Sequence, residues 1–163
     1  MNDLKIPVGV SDFAKIRNYK YYYVDKTGLI TDLLEKETVE VTLITRPRRF
    51  GKTMGMSMLA NFFDIRKDSK AMFEGLEISK NETLCSEWMN QWPVLFLSFK
   101  DVDGNCFENA YEMLKFSLSQ ACITHTYLQQ DPKIDDTFQK KFSALKDQTA
   151  SLQEVKTSIL ILM

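Results

Sequence analysis

The chain has 163 residues, 44 % of them apolar, enough to bury one sizeable core, so one domain or most of one is expected. Its 21 Lys and Arg against 22 Asp and Glu leave a net charge of −1, which argues against a global attraction to nucleic acid or to an anionic membrane. Cys85, Cys106 and Cys122 are odd in number and form no Cys-x-x-Cys, so neither a disulfide framework nor a zinc site is indicated, and a reducing cytoplasm is the simplest setting. Asp3 and Lys5 interrupt the amino terminus, unlike a secretory signal, and no apolar stretch reaches the length of a membrane span.

In chain order, Pro7, Gly9, Ser11 and Asp12 break up an extended lead-in, and Phe13 and Ile16 open a short helical turn. Residues 19–24 are aromatic and β-prone, which fits a half-buried strand beside the core. Asp25 suits the N-cap of a helix over residues 26–36, where Leu29, Ile30, Leu33 and Leu34 fall on one face.

Residues 39–63 then read as strand, loop and helix. The β-branched, almost uncharged run 39–45 predicts a strand, and apolar positions at helical spacing predict a helix over 54–63. Between them stand Arg46, Pro47, Arg48, Arg49, Phe50, Gly51, Lys52 and Thr53. A triphosphate site needs this order, because the strand aims the loop and the helix's first free N–H groups face the phosphates. Gly51 lets the backbone come close, Lys52 can reach the β and γ phosphates, and the Thr53 hydroxyl can hold Mg²⁺. The strict motif has glycine where Arg46 stands. The plainer alternative is a basic turn whose cations are merely solvated.

Residues 64–69 are polar and predict a surface connection, and Phe73, Leu76 and Ile78 form an apolar patch around Gly75. Leu84, Trp88 and Met89 mark the inward face of a helix over 82–92, stopped by Pro93. The apolar run 94–99 predicts a parallel strand covered on both faces, neighbour to the strand ending at Thr45. Asp101, just past it, is either the carboxylate that orients magnesium or part of a solvated turn. Two amphipathic helices follow: one over 106–130, and one over 135–152 carrying Phe138, Phe142, Leu145, Thr149 and Leu152 on one face. His125 reads as a surface or hydrogen-bonded side chain rather than a general base, and the run 159–163 is apolar and β-prone.

The run from Thr45 to Thr53, with Tyr21-Tyr22-Tyr23-Val24-Asp25-Lys26-Thr27 and Gly9-Val10-Ser11-Asp12-Phe13 ahead of it, resembles the AAA-ATPase-like family of bacterial P-loop proteins. That family uses Arg-Pro-Arg-Arg where the strict motif has its first glycine, so Arg46 agrees with the resemblance. The resemblance implies an α/β fold, a P-loop NTPase-like parallel sheet flanked by helices. It implies ATP and Mg²⁺ as ligands, with residues Arg46 to Met54 cradling the phosphates and Tyr23, Val24 and Asp25 near the base. In the family an apolar strand ending in acidic residues comes at about the position of residues 159–163. The expectation is therefore a domain incomplete at that end, able to bind ATP but poorly able to hydrolyse it. Longer relatives carry a nuclease-like domain, so nucleic acid is a partner by family analogy alone. Two other classes stay open: a small P-loop phosphotransferase, and a non-enzymatic regulatory fragment that docks a partner domain or a second copy at an open sheet edge.

Overall fold

A computed structural model describes residues 5–35, 41–100, 102–130 and 134–162. The chain divides into two units, Met1–Val94 and Leu95–Met163. Both are built from helices.

In the first unit, the Asp12 carboxylate accepts from the Lys15 amide at 3.1 Å and so caps helix α1, Phe13–Asn18. Helix α2, Gly28–Leu34, buries Ile30, and helix α3, Lys52–Phe63, buries Met58 and Phe62 one turn apart. Helix α4, Lys70–Phe73, leads through Gly75, whose φ of +77° suits glycine, into a 3-10 turn, Glu77–Lys80, and helix α5, Glu82–Trp88. Phe13, Ile30, Met58, Phe62, Phe73, Leu76 and Ile78 form one buried cluster. Its aromatic centre packs edge to face, with Phe62 and Phe73 centroids 5.3 Å apart at 80°. Leu84, Trp88 and Met89 pack onto this cluster, the inward face expected for α5.

Polar ties hold these helices in register. The Phe13 amide donates to Ser57 Oγ of α3 at 3.0 Å, and the Arg17 guanidinium donates to the carbonyls of Met72 and Glu74. Asn90, at φ +55°, donates through Nδ2 to the carbonyls of Asn61 and Asp64 and accepts from the Ser69 amide. This left-handed residue lies between α5 and Pro93; the helix has already ended at Trp88, so Pro93 is not its stop.

In the second unit, helix α6, Phe107–Thr124, packs chiefly on helix α7, Asp136–Lys146, whose cap is the Asp135 carboxylate accepting from the Phe138 amide at 2.8 Å. Leu118, Cys122, Phe142 and Leu145 form the buried seam. The expected single helix over 135–152 is broken: Gln148 takes φ +60°, Ala150 turns inward, and Ser151 with Glu154 builds a capping box that opens helix α8, Leu152–Lys156. Thr149 and Leu152 are consequently exposed, not part of the α7 stripe. His125 is buried, with Nδ1 at 3.1 Å from the Tyr127 hydroxyl.

The expected α/β architecture is overturned. Among the described residues there is no strand and no sheet, and the lone β contact is a parallel bridge between Asp64 and Trp92. Residues 41–45 and 94–99 have the composition of strands, but a strand exists only through the hydrogen bonds of a neighbour. Neither run has one, and Val41 and Leu43 are 83 % and 84 % exposed. Residues 19–24 likewise join no ladder. The β-prone carboxyl-terminal run lies in helix α9, Ser158–Leu162.

Because Phe62 is fully buried at the centre of its cluster, Phe62→Ala is expected to destabilise the first unit by about 3–5 kcal/mol. Phe50, 62 % exposed, is the control, and its alanine variant should stay within about 0.5 kcal/mol of wild type in urea unfolding.

Candidate functional site at the start of helix α3

The loop before α3 reverses through two left-handed residues, Arg49 at φ +68° and Gly51 at φ +78°. Gly51 is the N-cap of α3 and offers no side-chain acceptor, so the amides of the helix's first turn receive no side-chain cap. A glycine here serves two needs: its positive φ is free of Cβ strain, and nothing shields those amides. The Lys52 ammonium folds back over the loop, donating to the carbonyl of Arg46 and, at 3.2 Å, to that of Pro47.

Beside this turn lies a hollow of about 690 Å³. Its cations are Lys26, Arg46, Arg49 and Lys52, and among the described residues no carboxylate lines it. The other side is apolar and aromatic, supplied by Pro7, Tyr22, Tyr23, Val24, Leu29, Ile44, Phe50, Met54 and Met58. A larger hollow of about 960 Å³ runs along α4 and α5, but Lys67 and Lys70 there alternate with Asp68, Glu74 and Glu82, so no charge sign is favoured.

Of the residues singled out from sequence, Arg46, Arg49, Phe50, Gly51, Lys52, Met54 and Tyr23 come together in the smaller hollow. Pro47 contributes its carbonyl to Lys52, while Arg48 and Thr53 are exposed and do not line it. Tyr23 is held against the core: its ring meets Phe13 edge to face at 5.5 Å, and its hydroxyl donates to Met58 Sδ at 3.4 Å. Burial raises its phenol above the ordinary range, partly offset by the nearby Lys26 backbone.

Asp25 has a different place. It neither lines the hollow nor caps α2, whose N-cap is Thr27. Its Oδ1 accepts from the Thr27 amide at 2.8 Å and hydroxyl at 2.7 Å, and Oδ2 accepts from the Glu77 amide at 2.7 Å. The buried Thr27 hydroxyl accepts in turn from the Ile78 amide at 3.1 Å. Asp25 and Thr27 thus clamp the start of α2 to the 3-10 turn. Asp101 lies outside the described residues, Asp103 is exposed, and among the described residues no three His, Cys, Asp or Glu side chains converge on a metal position. Lys26 is the cation that the sequence reading did not single out; its local sequence carries no mark of a role, because its nearness to Gly51 arises only in the fold.

Comparison with known proteins places this geometry in context. The family model described as Predicted AAA-ATPase matches residues 7–162. A protein of Azotobacter chroococcum mcd 1, named "Uncharacterized protein in vnfD 5'region", is 39 % identical over 100 residues, which is 61 % of this chain and 18 % of that protein. The chain therefore matches less than a fifth of that relative's length. No solved structure matches. Among the described residues, no helix is long and apolar enough to cross a membrane.

Asp25 ties the site to a pH dependence. Burial pushes its carboxyl up, but the Thr27 and Glu77 hydrogen bonds outweigh this and hold it below the ordinary value. A depressed carboxyl stabilises the fold above its unfolded pKa, and that contribution disappears as pH falls through the folded value. Thermal melts from pH 7 down to about 2.5 should therefore show a shallower acid slope for Asp25→Asn than for wild type. The variant keeps a residual slope from Asp64, which burial pushes up but Arg66 holds down on balance. Identical slopes would show that the clamp does not depend on the Asp25 charge.

Proposed function

Because this chain belongs to the family described as Predicted AAA-ATPase, we propose that the hollow at the start of α3 binds a nucleoside triphosphate, ATP in the first instance. The observation that carries this reading is the lining: among the described residues, four cations and no carboxylate on one side, apolar and aromatic side chains on the other. Cations gathered at the positive end of a helix repel one another and the helix dipole, and a polyanion relieves both. The apolar wall suits a base and ribose, and the volume falls within the range of small-molecule sites.

In this reading the phosphates lie against the backbone from Arg49 to Thr53, accepting from the uncapped amides. The Lys52 ammonium exchanges two neutral carbonyls for charged phosphate oxygens, which are stronger acceptors. Arg46 and Arg49 add charge at the rim. Thr53, exposed beside the hollow and not in its lining, carries the hydroxyl that the loop would offer to Mg²⁺; with no carboxylate in the lining among the described residues, the ion's remaining ligands would be phosphate oxygens and water. Tyr22, Val24 and Leu29 form the wall along the nucleoside, with Tyr23 fixed behind them by its contacts to Phe13 and Met58. Hydrolysis needs in addition a carboxylate to orient the metal and a group to position water; the sequence candidate for the first, Asp101, lies outside the described residues.

Titration with fluorescently labelled ATP and Mg²⁺ is expected to saturate and to be competed by unlabelled ATP. Lys52→Gln should weaken binding by about tenfold or more, the usual scale for losing a charge-assisted hydrogen bond. Absence of saturable binding in the wild-type chain, or equal affinity of Lys52→Gln, would overturn the assignment.

A further inference from the structure

Lys26 stands outside the loop, yet its ammonium nitrogen lies 3.6 Å from the point that a Cβ on Gly51 would occupy. That is van der Waals distance from the backbone at the helix start. Among the described residues the ammonium has no hydrogen-bond or ion-pair partner, and its side chain is exposed to the hollow it lines. An unpaired cation beside three others and the positive end of a twelve-residue helix sits in an unfavourable potential. Nothing in the packing requires it there.

The backbone, by contrast, is firmly placed. Asp25 and Thr27, on either side, are tied to the amides of Glu77 and Ile78, and the Lys26 carbonyl accepts from the Leu29 amide at 3.1 Å. The Asp-Lys-Thr triplet therefore divides its labour: the outer two residues anchor, and the middle one delivers a positive charge to the loop. Lys52 is engaged with loop carbonyls, so Lys26 is the ammonium in the hollow without an acceptor.

Resting on the nucleotide reading above, we propose that Lys26 is a phosphate-binding residue supplied from outside the loop, and that it makes the site prefer a triphosphate to a monophosphate. The preference follows from Coulomb's law, because each added cation favours a ligand in proportion to the ligand's charge. A point charge on a flexible stem suits this task, since it can follow the phosphate chain without demanding one bidentate geometry.

The test measures ATP and AMP affinities, by competition against labelled ATP, for wild type, Lys26→Gln, Lys26→Arg and Lys52→Gln, with melting temperatures alongside. Without added Mg²⁺, Lys26→Gln should lose about tenfold for ATP and about threefold for AMP, whose charge is about half, Lys26→Arg should stay within about threefold of wild type, and melting should be unchanged. If Lys26→Gln binds ATP like wild type while Lys52→Gln does not, the Lys26 assignment fails and the nucleotide site stands. Equal losses for ATP and AMP, or a loss in Lys26→Arg as large as in Lys26→Gln, would also overturn it. A wild-type chain that binds no ATP would end both readings.

Discussion

The rotation of α3 about its own axis is the constraint on which the rest of the first unit depends. Met58 and Phe62 are one turn apart on the buried face, and burying both fixes how the helix is turned. Lys52, ten residues before Phe62, is then carried to a different face and left exposed. Gly51 fixes the other end, because its left-handed backbone sets where the helix begins and where its first amides point. Core packing and the placement of the turn before α3 are two consequences of one helical register. Slipping that register by a residue would expose an aromatic ring and turn the first-turn amides away from the hollow.

The Asp25 to Thr27 triplet shows a similar economy at shorter range. Its two anchors reach residues about fifty positions later in the chain, so the start of α2 and the 3-10 turn are joined by hydrogen bonds rather than by apolar contact alone. Thr27 is buried with its hydroxyl both donating and accepting, which satisfies a polar group that would otherwise be costly inside. Between them a lysine can project without disturbing either bond. The Ser57 and Arg17 ties do comparable work for α1, holding Phe13 over the cluster that also receives Tyr23.

How much of this could be read from the residues follows from the range of the interactions involved. Helices announced themselves through local periodicity, and the inward positions Phe13, Ile16, Phe142 and Leu145 are where that periodicity puts them. The loop was legible because Gly51, Lys52 and the helix after them form one contiguous signal. Asp25 was not: as an acid ahead of a helix it resembles an N-cap, and only the distant Glu77 amide reveals the clamp. The β-rich runs at 41–45 and 94–99 marked segments fit for pairing, yet composition cannot supply a partner, and among the described residues none is paired. The apolar end in α9 belongs to the class of short runs whose period does not separate strand from helix.

The electrostatics of the hollow are local and do not show in the overall charge. A chain with net charge −1 has no long-range attraction for an anion. Screening in physiological salt confines any charge to within about 8 Å in any case. The potential at the hollow is set by the local groups, and among the described residues four cations and no acid line it. Five of the acidic residues are engaged elsewhere, at helix starts by Asp12, Asp135 and Glu154 and in the Asp25 and Asp64 networks. Charge is therefore arranged locally: carboxylates accept from backbone amides at the starts of α1, α7 and α8, whereas the start of α3 has no side-chain cap and has cations beside it. An anion that supplied the missing acceptor would complete for α3 what Asp12 completes for α1.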